Sequence, residues 1–391
     1  MNSLPDSRSS APRPLRVLHL TGTLDRGGIE SWLVNLLAQV PPGEARMDVL
    51  VVSPGPRPGE LDRQVWGLGG RVFHAPSTRR LPAFLAALWR HLREHGPYDV
   101  VHSHIHHFGG LALLTARLAG VPVRAATSHL DSRHGDAAAG RGRRLYLRAM
   151  RAALDAGVTH RLAVSAQAAE ALFGTAWRER GTRLVTLGVD LGAVRAGEAG
   201  AAATRRALGR PPGEHVLGHV GQFRPQKNHL FLLDVFAAYL ERHGPAQLLL
   251  IGDGPERPRI EGRVRELGLR DRVHLLGSRP DVPELLWAMD AFVFPSRTEG
   301  LSLALLEAQA AGLPAVVSSG VPLDGRMRLE TVEVLGLGEG TAAWADAAAR
   351  ALGAGRRVPG NLDFDVARTS RELMTFYADA VRGAGAAGGF R

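Results

Sequence analysis

The sequence predicts an α/β protein built from two Rossmann-like, doubly wound domains. The chain has 391 residues, more than one ordinary hydrophobic core accommodates, and this length suits two domains. Short β-like runs alternate with helical patterns along the whole chain, which is typical of parallel sheets with helices on both faces. Residues 196–203 are rich in alanine and glycine, so we expect a loose connection between the two halves there.

The first half contains apolar runs that predict buried strands, each bounded by turn-forming or polar residues. They cover residues 16–20, 47–52, 71–74, 100–102, 123–127 and 161–164. A Gly-rich turn after the first run leads into a helical pattern over 29–38, and another helical pattern covers 81–94. We assign residues 15–195 to an N-terminal domain. The preceding residues 1–14 are polar and rich in proline and serine, which predicts a disordered tail and not a signal peptide.

The second half repeats the alternation, and we assign residues 205–364 to a C-terminal domain. Its predicted strands cover residues 216–220, 247–251, 273–276, 291–294 and 315–317. A helical pattern over 228–242 follows the first of them. An amphipathic helix is predicted at 365–382. One arrangement that we consider is that this helix packs back on the first domain. Ligands of doubly wound sheets bind at the carboxyl ends of the strands, so candidate site residues are sought there.

Composition narrows the function classes. The 48 basic and 38 acidic residues give a net charge of +10, which favours an anionic partner. Nucleic acid is not expected, because only 6% of the residues are aromatic and no known nucleic-acid motif is present. The absence of cysteine excludes disulfides and thiolate metal sites. No apolar run approaches the ~20 residues that span a bilayer, so we expect a soluble cytoplasmic protein.

Two glutamates flank a predicted loop-to-helix junction after the strand at 291–294. Residues 303–311 are good helix formers, and Ser302 is a plausible N-cap. Glu299 then lies before the helix and Glu307 inside it, with the free N–H groups of a helix start between them. A carboxylate on each side of an anion site suits a ligand with hydroxyls at both ends and phosphate in the middle, such as a nucleotide-sugar.

A basic loop follows the first strand of the second half. Arg224 and Lys227 are predicted at the carboxyl end of that strand, where two cations can neutralise a leaving diphosphate. The alternative is a solvated basic loop without a ligand. The nearby glutamates favour the first interpretation.

Together these motifs resemble the retaining glycosyltransferases of family 4, which have the GT-B fold, and in particular the exopolysaccharide-type members. The resemblance spans residues 15–380 and includes the following segments: the E-x7-E element Glu299 and Glu307, the basic loop Arg224 and Lys227, the turn 252–255, the G-G-x-E loop 27–30, and the stretches 100–104 and 188–190. It implies two domains facing a cleft, with the acceptor bound by the N-terminal domain and the nucleotide-sugar by the C-terminal domain. No metal or other cofactor is implied.

The resemblance also implies roles for individual residues. Glu307 is expected to bond the ribose hydroxyls, and Glu299 those of the donor sugar. Arg279 is expected to border the base. The implied catalytic residues are Arg224, Lys227, Glu299 and His129; the implied donor-binding residues are Gly27, Gly28, Gly221, Arg279, Gly300, Leu301, Ser302, Leu303 and Glu307. Gly28 is expected to approach the diphosphate, because glycine lets a backbone come close.

Two regions depart from the family pattern. Members often have an arginine where this chain has Gln222, so we expect Arg224 to supply the charge; if it cannot reach, donor binding is weakened. Residues 323–340 are unfamiliar and predict a looser loop.

The histidines permit two interpretations. His102, His104 and His106 alternate, so on a strand they would share one face, and a metal site is conceivable. No carboxylate stands nearby in sequence and the family requires no metal, so we expect none. His129 matches the family's cleft-facing histidine, which touches the donor sugar or the acceptor; a satisfied loop histidine is the alternative.

Residues 141–151 place basic and apolar residues at helical spacing. Such a helix can lie on the anionic inner face of the cell membrane. Alternatively, it can pack on its own domain and leave a basic face in solvent.

The resemblance thus implies that a sugar moves from a nucleotide-sugar, UDP-linked in our expectation, to a hydroxyl of a glycan or lipid-linked acceptor with retention of configuration. A nucleotide-sugar epimerase of similar fold and a non-catalytic nucleotide-sugar-binding protein are the alternatives.

Overall fold

The structure, a computed structural model, consists of two parallel β-sheets with helices on both faces. It describes residues 13–52, 58–133, 140–207, 213–323, 327, 329–360 and 362–388. The strands are β1 Leu15–Thr21, β2 Ala45–Val51, β3 Arg71–His74, β4 Val100–Ser103, β5 Val123–Ser128, β6 His160–Ala163, β7 Arg183–Leu184, β8 His215–Val220, β9 Ala246–Ile251, β10 Val273–Gly277, β11 Ala291–Phe294, β12 Ala315–Ser318 and β13 Val332–Leu335.

The helices alternate with these strands. They are α1 Gly28–Gln39, α2 Asp62–Gly67, α3 Leu81–His95, α4 Gly109–Leu118, α5 Arg141–Gly157, α6 Ala166–Phe173, α7 Leu191–Ala196, α8 Ala201–Ala207, α9 His229–His243, α10 Arg257–Glu266, α11 Val282–Ala288, α12 Leu303–Ala310, α13 Gly340–Ala354 and α14 Val366–Gly388. In the part of the chain that the structure describes, no helix is long and apolar enough to cross a membrane.

The strand order makes both sheets doubly wound. The first sheet has the order β3-β2-β1-β4-β5-β6-β7 and the second β10-β9-β8-β11-β12-β13, and every pairing is parallel. The order reverses between β1 and β4 in the first sheet and between β8 and β11 in the second. The crevices at these switch points are where such sheets bind ligands. The predicted architecture of two Rossmann-like sheets is confirmed.

The last helix belongs to the core of the first sheet. Its residues Leu373, Met374 and Tyr377 are buried together with residues of β1, β2 and α1. Tyr377 is completely buried and its hydroxyl lies 2.5 Å from Nδ1 of His102 on β4. Helix α14 therefore returns from the second sheet and closes one face of the first.

Two local predictions are wrong. Residues 196–203 are not a loose linker but form the end of α7, a 3-10 turn and the start of α8. Gly197 and Gly200 in this stretch pack against α11, where a side chain on either would collide with Pro283 or Glu284. Within the predicted loop 323–340, strand β13 adds an edge to the second sheet, although residues 324–326 and 328 lie outside the described residues.

Of the predicted tail at residues 1–14, the structure describes only residues 13 and 14. Residues 1–12 lie outside the described residues, but Arg13 makes a two-pronged ion pair with Asp99 at 2.6 and 2.8 Å. The domain boundaries themselves stay predictions.

Candidate active site

The loops at the carboxyl ends of the central strands meet between the two sheets. The Thr298 hydroxyl donates to the Asp131 carbonyl at 3.4 Å, which joins the loop after β11 to the loop after β5. A methyl group at Gly300 would lie 2.0 Å from the carbonyl oxygen of His129, so only glycine permits this approach. These contacts bring His129 and the Glu299 loop, which are far apart in sequence, into one site.

Helix α12 begins at this interface. Ser302 caps it, because its hydroxyl accepts the Leu305 N–H at 3.2 Å, as the sequence predicts. Leu301 and Leu303 pack against the cores of both sheets. A Cβ added to Gly28, the first residue of α1, would lie 3.5 Å from the Leu303 side chain. The starts of α1 and α12 therefore face each other across the interface.

Glu299 and Lys227 form a buried ion pair beside these helix starts. The Lys227 ammonium donates to Oε1 of Glu299 at 2.7 Å, and the two side chains are 15% and 7% exposed. The ammonium also lies 4.9 Å from the centre of the Phe294 ring, a favourable position for a cation. Two predicted catalytic residues are thus in direct contact.

Close backbone packing shapes the basic loop. Gly252 has a φ of +136°, and a Cβ there would lie 2.1 Å from the carbonyl oxygen of Gly221. The Lys227 side chain in turn passes over Gly221, with Cδ at 3.3 Å from an added Cβ. The close approach of the glycine turn at 252 therefore fixes the position of the loop that carries Lys227.

Gln222, the departure from the family pattern, contacts both sides of the interface. Its Oε1 accepts the Arg224 Nε–H at 2.8 Å, and its amide donates to the Arg26 carbonyl at 3.4 Å. Arg224 is exposed, and its charge offsets part of the rise that burial causes in the pKa of Glu30. Gln222 thus orients the arginine that the sequence proposes as its substitute. The sequence singled out Gln222 by its type but carried no signal of the contact with Arg26.

Two carboxyl groups near the site have raised pKa values. Burial raises the pKa of Glu307 to about 7, and no partner for its carboxyl group is found among the described residues. Burial also raises the pKa of Glu30 to about 7, with a further contribution from Asp25. The Glu30 carboxyl group folds back over Gly27. One of its oxygens is so close that it would lie 2.4 Å from a Cβ on that glycine. Glu30 is therefore a further candidate site residue, and in the sequence only its place in the G-G-x-E loop marked it.

Arg279 lies in the loop after β10. Its guanidinium makes a two-pronged contact with Asp281 at 2.5 and 2.7 Å, and it is exposed. The roles predicted for Arg279, Gly27, Gly28 and Glu307 toward a nucleotide stay predictions.

The histidines behave differently from the predicted alternation on one strand. His106 is not on β4 but begins a 3-10 turn with a φ of +50°, so the prediction that it shares a face with its neighbours is wrong. His102 and His104 instead cluster with His19 of β1, and one ring nitrogen of each lies within 4.8 Å of the others. His129 joins this cluster through a 2.8 Å contact between its Nε2 and Nδ1 of His104. The expectation that no metal binds stays a prediction.

Both halves of the chain match known protein families. Residues 26–192 match the family model described as Glycosyltransferase Family 4, and residues 214–353 match Glycosyl transferases group 1. The chain is 35% identical over 344 residues to the putative glycosyltransferase EpsF of Bacillus subtilis, covering 87% of this chain and 88% of EpsF. This chain belongs to glycosyltransferase family 4. The resemblance to family 4 that was drawn from the motifs is therefore confirmed.

One further relative and one solved structure are similar to this chain. The UDP-Gal:alpha-D-GlcNAc-diphosphoundecaprenol alpha-1,3-galactosyltransferase of Escherichia coli is 28% identical over 287 residues, covering 70% of this chain and 71% of that protein. The structure of Anabaena HepE in complex with UDP and glucose superposes with a TM-score of 0.71 at 16% identity, covering 96% of this chain and all of HepE. The GT-B fold expected for this family 4 chain is confirmed.

Proposed function

We propose that this chain transfers a hexosyl group from a UDP-linked sugar to a hydroxyl of a glycan or lipid-linked acceptor, with retention of the anomeric configuration. The observation that carries the proposal is the buried Lys227–Glu299 pair at the facing starts of α1 and α12. A cation, a carboxylate and two helix N-termini converge there, and these are the groups that a diphosphate joined to a sugar requires.

The named relatives support the donor and acceptor classes. HepE is described in complex with UDP and glucose, and the Escherichia coli relative is named for a UDP-galactose donor and a diphosphoundecaprenol-linked acceptor. EpsF, which covers most of this chain, is named a putative glycosyltransferase. A UDP-sugar donor and a lipid-linked or glycan acceptor are therefore the classes to test first.

In the proposed reaction the bond between the anomeric carbon and the phosphate oxygen breaks, and its electron pair leaves with UDP. Lys227 and Arg224 neutralise the charge that develops on the leaving oxygen. The acceptor hydroxyl attacks the face from which UDP departs, and its proton passes to the departing phosphate oxygen. Glu299 then holds sugar hydroxyls, and Glu307 holds the ribose. No metal or other cofactor takes part in this scheme.

The first experiment identifies the donor. Thermal unfolding is followed with UDP, GDP and ADP and with their glucose, galactose and N-acetylglucosamine conjugates, because a specific donor stabilises the folded state by mass action. Transfer to oligosaccharide and polyprenyl-diphosphate sugar acceptors is then measured with the best donor. The anomeric proton coupling of the product, read by NMR, reports retention or inversion.

Variants locate the site. Lys227→Met should lower kcat by about 10²–10³-fold, the usual effect of removing one group that stabilises developing charge. Arg224→Ala should weaken donor binding, whereas Arg259→Ala, an equally exposed arginine on α10, serves as the matched control. Wild-type rates in the Lys227 and Glu299 variants would place the site elsewhere. Stabilisation by a UDP-sugar without any turnover would favour the alternative, a non-catalytic binding protein.

We further propose that helix α5 rests on an anionic membrane surface. Its inner face packs on α4, with Gly110 admitting the Met150 carbonyl oxygen to within 2.5 Å of an added Cβ. Its outer face is rich in arginine and leaves Leu145 69% exposed beside Tyr146. Packing on its own domain and contact with a membrane are therefore compatible for this helix. One face packs on the domain, and the other is basic with apolar side chains between the charges.

Sedimentation with vesicles tests this proposal. Binding should require phosphatidylglycerol in the phosphatidylcholine vesicles and should weaken as salt is raised, since the arginines provide the attraction. Arg144→Glu should reduce binding, with Arg259→Glu on the second sheet's side as the control for net charge. Binding that is absent, or that does not respond to salt, would exclude the membrane contact.

A further inference from the structure

Three histidines from separate parts of the first sheet form a hydrogen-bonded row. His19 lies on β1, His104 follows β4 and His129 follows β5. Nδ1 of His19 lies 3.1 Å from Nε2 of His104, and Nδ1 of His104 lies 2.8 Å from Nε2 of His129. Burial lowers the pKa of His19 and of His129 to about 3, and that of His104 well below its ordinary value. Each ring is therefore neutral at physiological pH and carries one N–H proton.

Only two proton arrangements satisfy both contacts of this row. Each contact needs one donor and one acceptor, so the choice at one ring forces the choice at the next. In the first arrangement all three rings carry the proton on Nδ1, and the unshared N–H is that of His129. In the second all three carry it on Nε2, and the unshared N–H is that of His19. The tautomer of His129 is thus coupled to that of His19 through His104.

The two ends of the row have different surroundings. Nε2 of His19 and Nδ1 of His129 are both buried, and neither has a hydrogen-bond partner within the described ranges. His19 is 0% exposed inside the sheet, so a proton on its Nε2 would be an unsatisfied buried donor, which is unfavourable. His129 is partly exposed and its backbone touches Gly300, beside the Lys227–Glu299 pair. A ligand between the sheets can therefore satisfy the His129 end but not the His19 end.

We infer that His104, backed by His19, is a positioning residue that holds His129 in the Nδ1–H form, so that His129 donates a hydrogen bond to a hydroxyl oxygen of the sugar bound between the two sheets. This inference rests on the proposed function. It assigns the direction of the hydrogen bond: His129 is a donor, and a sugar oxygen is the acceptor.

The neighbouring His102 stays outside the row. Its Nδ1 lies 2.5 Å from the Tyr377 hydroxyl and its Nε2 lies 2.6 Å from the Thr127 hydroxyl, so both ring nitrogens are occupied. His102 therefore cannot take a proton from His104, although the centres of the two rings are only 4.2 Å apart. The same bonds argue against a metal ion held by His19, His102 and His104, because such an ion would displace hydrogen bonds that both His102 and His104 already make.

The tautomer can be measured directly. The protein is labelled with ¹⁵N-histidine, and long-range proton–nitrogen NMR spectra distinguish Nδ1–H from Nε2–H rings. His129 is assigned from the signal that is lost in His129→Asn. We expect an Nδ1–H ring for His129 in the complex with UDP-glucose. An Nε2–H ring, a doubly protonated ring, or a metal ion found by elemental analysis in zinc-treated and dialysed protein would overturn the inference.

Two variants of equal size test the role of His104. In His104→Asn the side-chain amide can still donate to Nε2 of His129, whereas in His104→Leu it cannot. We expect the asparagine variant to keep the Nδ1–H signal and the transfer rate within a few-fold. The leucine variant should lose the signal and about tenfold in kcat/KM for the sugar donor, while inhibition by UDP, which lacks the sugar, is unchanged. Equal behaviour of the two variants in both measurements would overturn the inference.

The wild-type spectrum decides the matter by itself if the variants do not fold. It also separates this inference from the proposed function. An Nδ1–H ring in a protein that transfers no sugar refutes the proposed function and leaves the positioning of His129 standing. Sugar transfer by a protein whose His129 carries the proton on Nε2 refutes this inference alone.

Discussion

Replacing Glu299 with glutamine should destabilise the free protein and strengthen its response to UDP. Glu299 lies 2.7 Å from the Lys227 ammonium, and both side chains are largely buried. Two unit charges at that distance of 2.7 Å attract each other by about 6 kcal/mol at an effective dielectric constant of about 20. Desolvation of both groups offsets more than half of this attraction, so we expect a coupling free energy of about 2 kcal/mol.

Glutamine keeps the size of the side chain and one oxygen acceptor but leaves Lys227 as an unpaired cation. A loss of about 2 kcal/mol corresponds to a Tm lower by about 4–8 °C for a unit of about 150–250 residues. The phosphates of UDP would supply the missing negative charge. Saturating UDP should therefore raise the Tm of Glu299→Gln by more than it raises that of the wild type.

The assay is thermal unfolding of four proteins with and without UDP: wild type, Glu299→Gln, Lys227→Met and the double variant. The double variant should lose clearly less free energy of unfolding than the sum of the two single losses, because its members share one interaction. UDP should not rescue Lys227→Met, which lacks the cation. Additive single losses, or equal UDP responses of wild type and Glu299→Gln, would refute the reasoning.

Burial and close packing lead to four further predictions. Burial raises the pKa of Glu307 from 4.5 to about 7, so the folded protein keeps a proton that the unfolded chain releases, and the stability that this proton contributes is lost as the pH rises from 4.5 to about 7. Glu307→Gln should therefore flatten part of the fall of Tm over this pH range, and an unchanged profile would contradict this. Gly300→Ala places a methyl group 2.0 Å from a backbone oxygen and should lower both Tm and activity, whereas the methyl of Gly28→Ala meets only a side chain at 3.5 Å. Gly28→Ala should therefore keep its Tm but bind UDP-sugar about tenfold more weakly in calorimetric titration; unaltered affinity would remove Gly28 from the donor site. Tyr377→Phe leaves Nδ1 of the buried His102 without its hydroxyl partner and should reduce the free energy of unfolding in urea by about 1–3 kcal/mol, so an unmoved urea midpoint would count against that bond.

Two edge strands, β7 and β13, could not be predicted from the sequence, although the edge strands β3 and β10 could. The runs that became β1, β4, β8 and β11 are mostly apolar and mostly buried, because central strands of a parallel sheet are covered on both faces. Strand β7 has two exposed residues, and β13 has only one buried residue. Each lies at the end of its sheet, so neither carries the continuous apolar run that reveals a strand.

At residues 196–203 the composition predicted a flexible linker where the structure has packed helices. The small residues there resemble a flexible linker in composition, yet they are small because α11 packs directly against them. Composition alone cannot distinguish a glycine that is free from one that admits a neighbouring helix.

The amino-acid sequence by itself determined the two sheets, the N-cap at Ser302 and the family of the chain, which the motifs of Glu299 and Lys227 indicate. Strand periodicity, helix caps and motifs each depend on a few neighbouring residues. Only the tertiary structure decided how those motifs combine. The Gln222 amide reaches a carbonyl 196 positions away, and His19 meets His104 at a separation of 85. Such contacts, and the burial that raises the pKa of Glu307, depend on distances that appear only after the strands take their order in the sheets.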